Sequence, residues 1–199
     1  MKGKITMANN YQVREVQLRN AVANDNDGKM VLEGYAVVFD SPTVLYTDSD
    51  GNECKEVISK DVFDGADMSD CCLKYNHGGM LLARVRGGSL KLTVDDYGLY
   101  FRAELFDTQL SRDVYKIVQS GGLDKCSFAF TVKEQSYNKE TRTLTILKIE
   151  KLYDVAVVDI PAYKDTSVSA RGLLEMEMEK SQQLDNEKLR QRLILETYL

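Results

Sequence analysis

Three residue types in this chain could together perform acyl transfer: a histidine, a serine and an aspartate. The single histidine, His77, ends an extended segment that runs into two glycines. Ser127 enters a strand-like run, and Asp154 lies within the most apolar segment of the chain. A serine hydroxyl is a weak nucleophile until an imidazole takes its proton, and the imidazole needs a carboxylate to fix its tautomer. The residue types therefore suggest nucleophilic catalysis, although their spacing alone does not prove that they meet.

Each of these residues also has a structural interpretation, and the pattern leaves both open. A lone histidine is more often structural than catalytic, although flanking glycines permit close approach of a ligand or a loop. Alternation places Ser127 on the less apolar face of its strand, and the pattern alone favours simple exposure to solvent over a nucleophilic role. Asp154 is costly to bury unless it is paired, and singly it reads as an edge or capping residue. Asp159, on the opposite face near the strand end, is a second candidate acid.

Histidine and cysteine usage excludes several kinds of site. With one histidine, the chain lacks the residues for a His-rich zinc hydrolase or any mechanism that needs two imidazoles. The four cysteines contain no CxxC pair, so we predict no metal, no cofactor and no disulfide framework. Cys126 should point to the apolar face, where a thiol is usually inert packing. Cys71 and Cys72 lie near His77 in sequence but match no known Cys–His motif.

The net charge and the hydropathy of the chain limit the classes of partner that we expect. The chain has 199 residues, a net charge of −5 and a pI of about 5.1, which argues weakly against nucleic-acid binding. No apolar run approaches the roughly 20 residues of a membrane span. Residues 1–10 contain Lys2 and Lys4 without a following apolar run, which argues against a secretory signal. We therefore expect a soluble, reduced, cytosolic protein.

Most of the elements that must position these residues are predicted to be strands. Residues 30–39 are rich in β-branched and aromatic side chains. Residues 89–94 and 99–105 alternate around a turn signal at 95–98, which predicts a hairpin. A second hairpin is expected to join residues 126–135 to 142–151, followed by a last strand over 152–160 that stops at Pro161.

Two helices and a tail complete the prediction. A short helix is expected over residues 59–66 with a serine cap. A stronger one is expected over 107–120, capped by Asp107, with Leu110, Val114, Ile117 and Val118 on one face and a glycine stop at 121–122. Residues 172–199 change to Glu, Met, Gln, Lys and Leu, which predicts a helical tail. The fold class is therefore mainly β, a β-barrel or strongly curved sheet with peripheral α-helices.

Four segments, in this order, resemble the prohead proteases of tailed bacteriophages, which are capsid-maturation serine proteases similar in fold to the herpesvirus assemblin protease. The resemblance covers roughly residues 12–171, so we assign a protease domain to 11–171 and a tail to 172–199. The segments are Glu33-Gly-Tyr-Ala-Val-Val-Phe39, Tyr75-Asn-His77-Gly, Lys125-Cys-Ser127-Phe-Ala-Phe130 and Leu152-Tyr-Asp154-Val-Ala-Val-Val-Asp-Ile-Pro161-Ala162.

The resemblance implies roles for individual residues. His77 corresponds to the general base, Ser127 to the nucleophile and Asp154 to the acid that orients the histidine. Two departures stand out: the family commonly has Glu-Val-Ser where this chain has Asp154-Val-Ala156, and Ala129 stands where relatives often carry glycine. The shorter acid must approach His77 about one methylene more closely. By the same resemblance the oxyanion hole lies near Pro161, with the backbone N–H of Ala162 or Tyr163 as its donor.

The resemblance also implies a substrate, a location and a test of oligomeric state. The substrate would be the scaffolding segment of the major capsid protein, or a separate scaffold, inside the prohead assembled in the bacterial host cytoplasm. The tail would be a target for self-cleavage or a segment that docks on the scaffold, although an ordinary solvated helix fits it equally well. Herpesvirus relatives act as dimers, so a homodimer is worth testing. The rival hypothesis is a catalytically silent structural or scaffold-binding β-domain of the phage head.

Overall fold

A computed structural model describes residues 11–17, 22–26, 28–48 and 50–159, with residues 183, 186, 187 and 189–191 near the C-terminus. Side chains are described from residue 28 onward. The six described positions of the predicted tail are helical. The rest of the tail, Pro161, Ala162 and Tyr163 lie outside the described residues, as does the predicted boundary near residue 171.

Two β-sheets account for most of the described residues. Between residues 11 and 159 the described parts contain eleven strands and one helix. A seven-stranded sheet has the order β1-β10-β11-β5-β4, with β6 paired to β11 and β7 paired to β6; the second sheet has four strands in the order β2-β3-β9-β8. The elements are β1 (Tyr11–Gln17), β2 (Val22–Asn26), β3 (Lys29–Val38), β4 (Thr43–Thr47), β5 (Glu53–Ile58), β6 (Cys72–Tyr75), β7 (Gly78–Arg84), β8 (Leu90–Val94), β9 (Gly98–Glu104), α1 (Gln109–Gln119), β10 (Lys125–Asn138) and β11 (Thr143–Val158).

Strand β11 lies at the centre of the larger sheet. It pairs antiparallel with β10 along nearly its whole length. On its other side it pairs in parallel with β5 at residues 143–146 and with β6 at residues 154–157. Parallel strands buried on both faces are read as continuous apolar runs, which is the character of the segment around Asp154. The predicted final strand is therefore the second half of one long strand rather than a separate element.

The hydrophobic core packs against one face of this sheet. Odd and even positions of a strand point to opposite faces, so core residues alternate with residues of the other face. The core contains side chains from both sheets and from α1, including Phe128, Val155 and Leu73. These three lie side by side on β10, β11 and β6 in the strand register. Cys126, Phe128 and Phe130 all belong to the core, as the alternation predicted.

Helix α1 is confirmed, with a different cap and a partly different buried face. Its N-cap is Thr108 rather than Asp107, and the threonine hydroxyl accepts a hydrogen bond from the Ser111 N–H. Asp107 instead pairs with Arg112. The buried side is formed by Ser111, Val114, Tyr115 and Val118, and Ile117 is exposed. The helix ends in a left-handed Gly121, as predicted.

The helix predicted over residues 59–66 is wrong. This segment forms successive turns in which each hydrogen bond spans three residues, as from the Val62 N–H to the Ser59 carbonyl. Val62 and Phe63 are buried in the core from these turns. Gly65 adopts a positive φ of 76°, which stops any continuation.

The mainly β class is confirmed, and so are both predicted hairpins, β8–β9 and β10–β11. The described strands form two sheets and no closed barrel. Register shifts between Ala129 and Gln135 mark irregular pairing within the long β10–β11 hairpin. Such bulges increase local twist and bend the strand. The β10–β11 pairing is therefore irregular near its middle, and the described strands do not close into a barrel.

Substitution of Gly98, at the start of β9, tests how closely β9 packs against β3. A Cβ atom added to Gly98 would lie 1.9 Å from the carbonyl oxygen of Val37, so the backbones must separate to accept any side chain. We expect Gly98→Ala to destabilise the fold by roughly 1–3 kcal/mol, the usual cost of overpacking. Thermal unfolding measures this loss. Gly87→Ala is the matched control, because its Cβ would meet only an ordinary 3.7 Å contact; equal melting temperatures for the two variants would contradict the prediction.

Candidate active site

The second face of the larger sheet carries the candidate residues in two neighbouring rows. In the first row Ser127 on β10 lies opposite Ala156 on β11, which lies opposite Lys74 on β6. In the next row Asp154 of β11 is flanked by Ala129 and Cys72. Directly paired residues in adjacent strands point to the same face. Ser127 and Asp154 are therefore held at fixed positions on this face by the strand register.

His77 reaches this face from a tight turn. Tyr75 pairs with Gly78, so Asn76 and His77 form a two-residue loop between β6 and β7. Both have positive φ, 49° for Asn76 and 55° for His77, as the type I′ hairpin turn requires. Asparagine and histidine tolerate this conformation better than most residues. The Asn76 N–H donates to the Val157 carbonyl at 3.0 Å, which fastens the turn to β11.

The imidazole of His77 joins the other two candidates. Its Nε2 lies 2.6 Å from Ser127 Oγ, and its Nδ1 lies 2.5 Å from Asp154 Oδ1. The aspartate is a hydrogen-bond acceptor when ionised, so the Nδ1 atom carries the proton in this arrangement. Nε2 is then left as an acceptor, and the Ser127 hydroxyl donates to it. The structure thus brings together all three residues singled out in the sequence.

Burial differs among the three residues. Ser127 and Asp154 are buried, whereas the side chain of His77 is 18 % exposed. The expectation that Ser127 faces solvent is therefore wrong. Alternation could not show this, because Ala129 and Ala156 make this face less apolar in sequence while both are fully buried. Of the three residues, His77 is therefore the one whose side chain is accessible to solvent among the described residues.

Lys74 is a fourth residue at the site, and the sequence pattern does not single it out. Its Nζ lies 3.3 Å from Asp154 Oδ2, and its side chain is 26 % exposed against 2 % for the aspartate. The two oxygens of the carboxylate therefore face two different cationic or donor groups. The available signal was weak: a lysine three residues before the histidine, inside an otherwise apolar strand.

The other acid has different partners. Asp159 Oδ2 accepts a hydrogen bond of 2.8 Å from the Tyr75 hydroxyl. This contact raises the pKa of Tyr75, because ionising the phenol would remove the donor and place two negative charges together. The Asp159 N–H donates to the Asn76 Oδ1 atom at 3.2 Å. His77 Nδ1 contacts Asp154. Ala162 and Tyr163, the predicted oxyanion donors, lie outside the described residues.

The cysteines are poor candidates for a nucleophile. All four are free and buried. Burial raises the pKa of the Cys126 thiol and raises the pKa of Cys71 to about 12. A thiol is nucleophilic only as the thiolate, so both are poor nucleophiles at neutral pH. No group of three or more potential ligands is placed to hold a metal ion within the described part of the chain.

Comparison with known protein families places the chain in a class. Residues 14–183 match the family described as caudovirus prohead serine protease. Because this match spans well over half of the sequence, the chain belongs to the caudovirus prohead serine protease family. It is thus a serine peptidase of the class that matures phage capsids. The resemblance stated from the four sequence segments is confirmed at the level of this family.

Two other comparisons gave no match. No curated protein and no solved structure matches the chain. The further similarity to the herpesvirus assemblin protease is therefore not confirmed. Among the residues that the structure describes, no helix is both long enough and apolar enough to cross a membrane.

Alkylation of the native protein tests the cysteine assignment. We expect iodoacetamide at pH 8 to leave the folded chain unmodified, because all four thiols are buried and burial raises the pKa of Cys71 and Cys126. Mass spectrometry should then show four alkylated cysteines only after unfolding in guanidinium. Rapid modification of native Cys126 that also abolishes peptidase activity would reopen a cysteine mechanism.

Proposed function

We propose that this chain is a serine endopeptidase in which Ser127 is the nucleophile, His77 the general base and acid, and Asp154 the residue that orients His77. The observation that carries the proposal is the imidazole lying 2.6 Å from Ser127 Oγ and 2.5 Å from Asp154 Oδ1. These distances are within the hydrogen-bond reach that a nucleophile and its base need. Membership of the prohead serine protease family supports the same reaction class.

The acylation step follows from the hydrogen bonds. Ser127 Oγ attacks the carbonyl carbon of the scissile peptide bond, and His77 Nε2 takes the hydroxyl proton. Asp154 accepts from Nδ1–H throughout, which holds the tautomer and stabilises the imidazolium that forms. When the tetrahedral intermediate collapses, the C–N bond breaks and Nε2–H gives its proton to the leaving amine. The product is an acyl-enzyme ester on Ser127 and a released amino-terminated fragment.

Deacylation repeats the same transfers with water. His77 Nε2 removes a proton from water as its oxygen attacks the ester carbonyl, and the proton then returns to Ser127 Oγ as the ester bond breaks. Each tetrahedral intermediate carries an oxyanion that needs preorganised donors, typically worth ~2.7–4 kcal/mol each. We propose the backbone N–H of Ala162 or Tyr163 for this role, since Pro161 has no N–H.

The proposed substrate is a protein of the immature capsid. The substrate is either the scaffolding segment of the major capsid protein or a separate scaffold protein. The protease also cleaves itself. Residues 172–199 are either removed by this self-cleavage or dock on the scaffold. Cleavage takes place inside the prohead in the host cytoplasm, with a homodimer as an arrangement to test. Family membership supports action on capsid proteins and a location in the phage head.

Substitution of the nucleophile tests the reaction class. We expect Ser127→Ala to lower kcat for cleavage of the cognate major capsid protein by a factor on the order of 10⁶, as loss of a serine nucleophile does elsewhere. His77→Ala should cost about as much, since the two residues act as a unit. Mass spectrometry of the full chain and of the capsid protein measures the cleavage. Intact wild-type protein and intact capsid protein in all reactions would favour the silent structural domain instead.

Paired substitutions test the acid. Asp154→Asn removes the ionised acceptor of Nδ1–H and should lower kcat by about 10⁴-fold, because the imidazole then adopts the wrong tautomer. Asp159→Asn is the matched control and should retain cleavage, because Asp159 accepts a hydrogen bond from Tyr75, whereas the two ring nitrogens of His77 face Asp154 and Ser127. The opposite ranking of the two variants would transfer the role to Asp159.

A further inference from the structure

We propose that Lys74 is a positioning residue for the reaction: its ammonium group holds the Asp154 carboxylate in the orientation that fixes the tautomer of His77. This inference rests on the proposed catalytic roles of His77, Ser127 and Asp154. It begins from one observation, that Oδ1 of Asp154 faces His77 Nδ1 at 2.5 Å while Oδ2 faces Lys74 Nζ at 3.3 Å.

Burial makes this ion pair different from a pair on the surface. An exposed pair contributes little, because water and salt screen the charges and both side chains lose rotamer freedom. The Asp154 side chain is only 2 % exposed, so its charge has little access to water. A buried carboxylate needs a compensating charge and hydrogen bonds on both oxygens. A neutral His77 supplies one hydrogen bond but no charge, and Lys74 supplies the charge.

The geometry of the hairpin ties Lys74 to the same event as His77. Both residues belong to the β6–β7 hairpin, Lys74 near the end of β6 and His77 in the turn. Lys74 is paired with Ala156, one side-chain position along the same face from Asp154. The hairpin therefore contacts the carboxylate at both oxygens, and rotation about the Cβ–Cγ bond of Asp154 would break both contacts. With the carboxylate plane fixed, Oδ1 remains directed at Nδ1.

Other ion pairs of the chain provide a contrast. Lys151 on β11 pairs with Asp67 at 3.1 Å, and both side chains are more than a third exposed. Lys74 and Lys151 are thus two lysines of the same sheet, one in contact with the proposed acid and one apart from it. Among the described residues, the ionisable side chains around Asp154 are Lys74, His77, Cys71 and Cys72. Of these, Lys74 carries the ammonium group that faces Oδ2.

The kinetic test measures the reactivity of Ser127 directly. A fluorophosphonate probe reacts with an activated serine and needs no knowledge of the cleavage site. We expect Lys74→Met to slow labelling of Ser127 about 10-fold, less than the roughly 100-fold that a 1 Å misplacement can cost. Lys74→Arg, which keeps the charge, should stay within about 3-fold of wild type, and Lys151→Met should match wild type. Labelling of Lys74→Met at the wild-type rate would overturn the proposal.

A spectroscopic test separates positioning from folding. Because the chain has one histidine, NMR of protein labelled with ¹⁵N-histidine shows imidazole nitrogen signals from His77 alone. In a Ser127→Ala background, which prevents self-cleavage, we expect the shifts of a fixed Nδ1–H tautomer. Lys74→Met should move them towards tautomer-averaged values, and Lys74→Arg should not. Unchanged shifts in Lys74→Met would count against the role assigned to Lys74.

The two proposals fail in different ways. If Ser127→Ala is labelled by the probe as fast as the wild type, another residue is the reactive nucleophile, and the mechanism proposed for Ser127 fails whatever Lys74 does. If Ser127→Ala is inert while Lys74→Met behaves as wild type in both tests, only the role of Lys74 fails. Should Lys74→Met not fold, as judged by thermal melting, Lys74→Gln replaces it, since its amide keeps a donor but not the charge. Wild-type labelling and shifts in Lys74→Gln would overturn the requirement for a charge.

Discussion

The buried carboxylate of Asp154 requires a partner for each of its oxygen atoms, and one hairpin supplies both. An isolated buried charge is strongly disfavoured, and breaking a buried pair by removing one partner costs about 3–5 kcal/mol. His77 contacts Oδ1 and Lys74 contacts Oδ2. The position of the β6–β7 hairpin relative to β11 is therefore constrained by electrostatics as well as by strand pairing.

Strand pairing explains why the remaining residue meets them. Ala156 lies between Ser127 and Lys74 in the register, and its side chain is a single methyl group. A larger side chain there would project onto the same face as the imidazole. The opposite face of the same strands carries Phe128, Val155 and Leu73 in the core, so packing on one side holds the polar arrangement on the other.

Local patterns predicted local features. The two hairpins, helix α1 and the apolar face of β10 all follow from alternation, turn residues or helical periodicity within a short segment. Residues 59–66 form turns rather than a helix, because their hydrogen bonds span three residues and Gly65 has a positive φ, although Ser59 is a suitable helix cap. Thr108 caps α1, although Asp107 is an equally suitable residue type; Asp107 instead pairs with Arg112.

Contacts between distant strands could not be predicted in this way. The parallel pairing of β6 with β11, which brings residues 74 and 156 together, has no signal in either segment alone. The candidate triad was named from residue order through a family resemblance, and its geometry needed the structure. Lys74 was missed because a lysine in sequence is normally read as a solvated side chain. The sequence pattern predicts that Ser127 faces solvent, because the small residues that share its face, Ala129 and Ala156, do not mark that face as buried.

The central place of β11 has a consequence for synthesis. Chains emerge from the ribosome with their N-terminal parts first. Strands β6 and β10 are made before β11, yet they are not paired with each other, and β11 is the strand that pairs with both of them. A growing chain that already contains His77 and Ser127 therefore has no neighbour that sets them side by side. A proteolytic activity built on this arrangement would therefore require β11, the last strand that the structure describes.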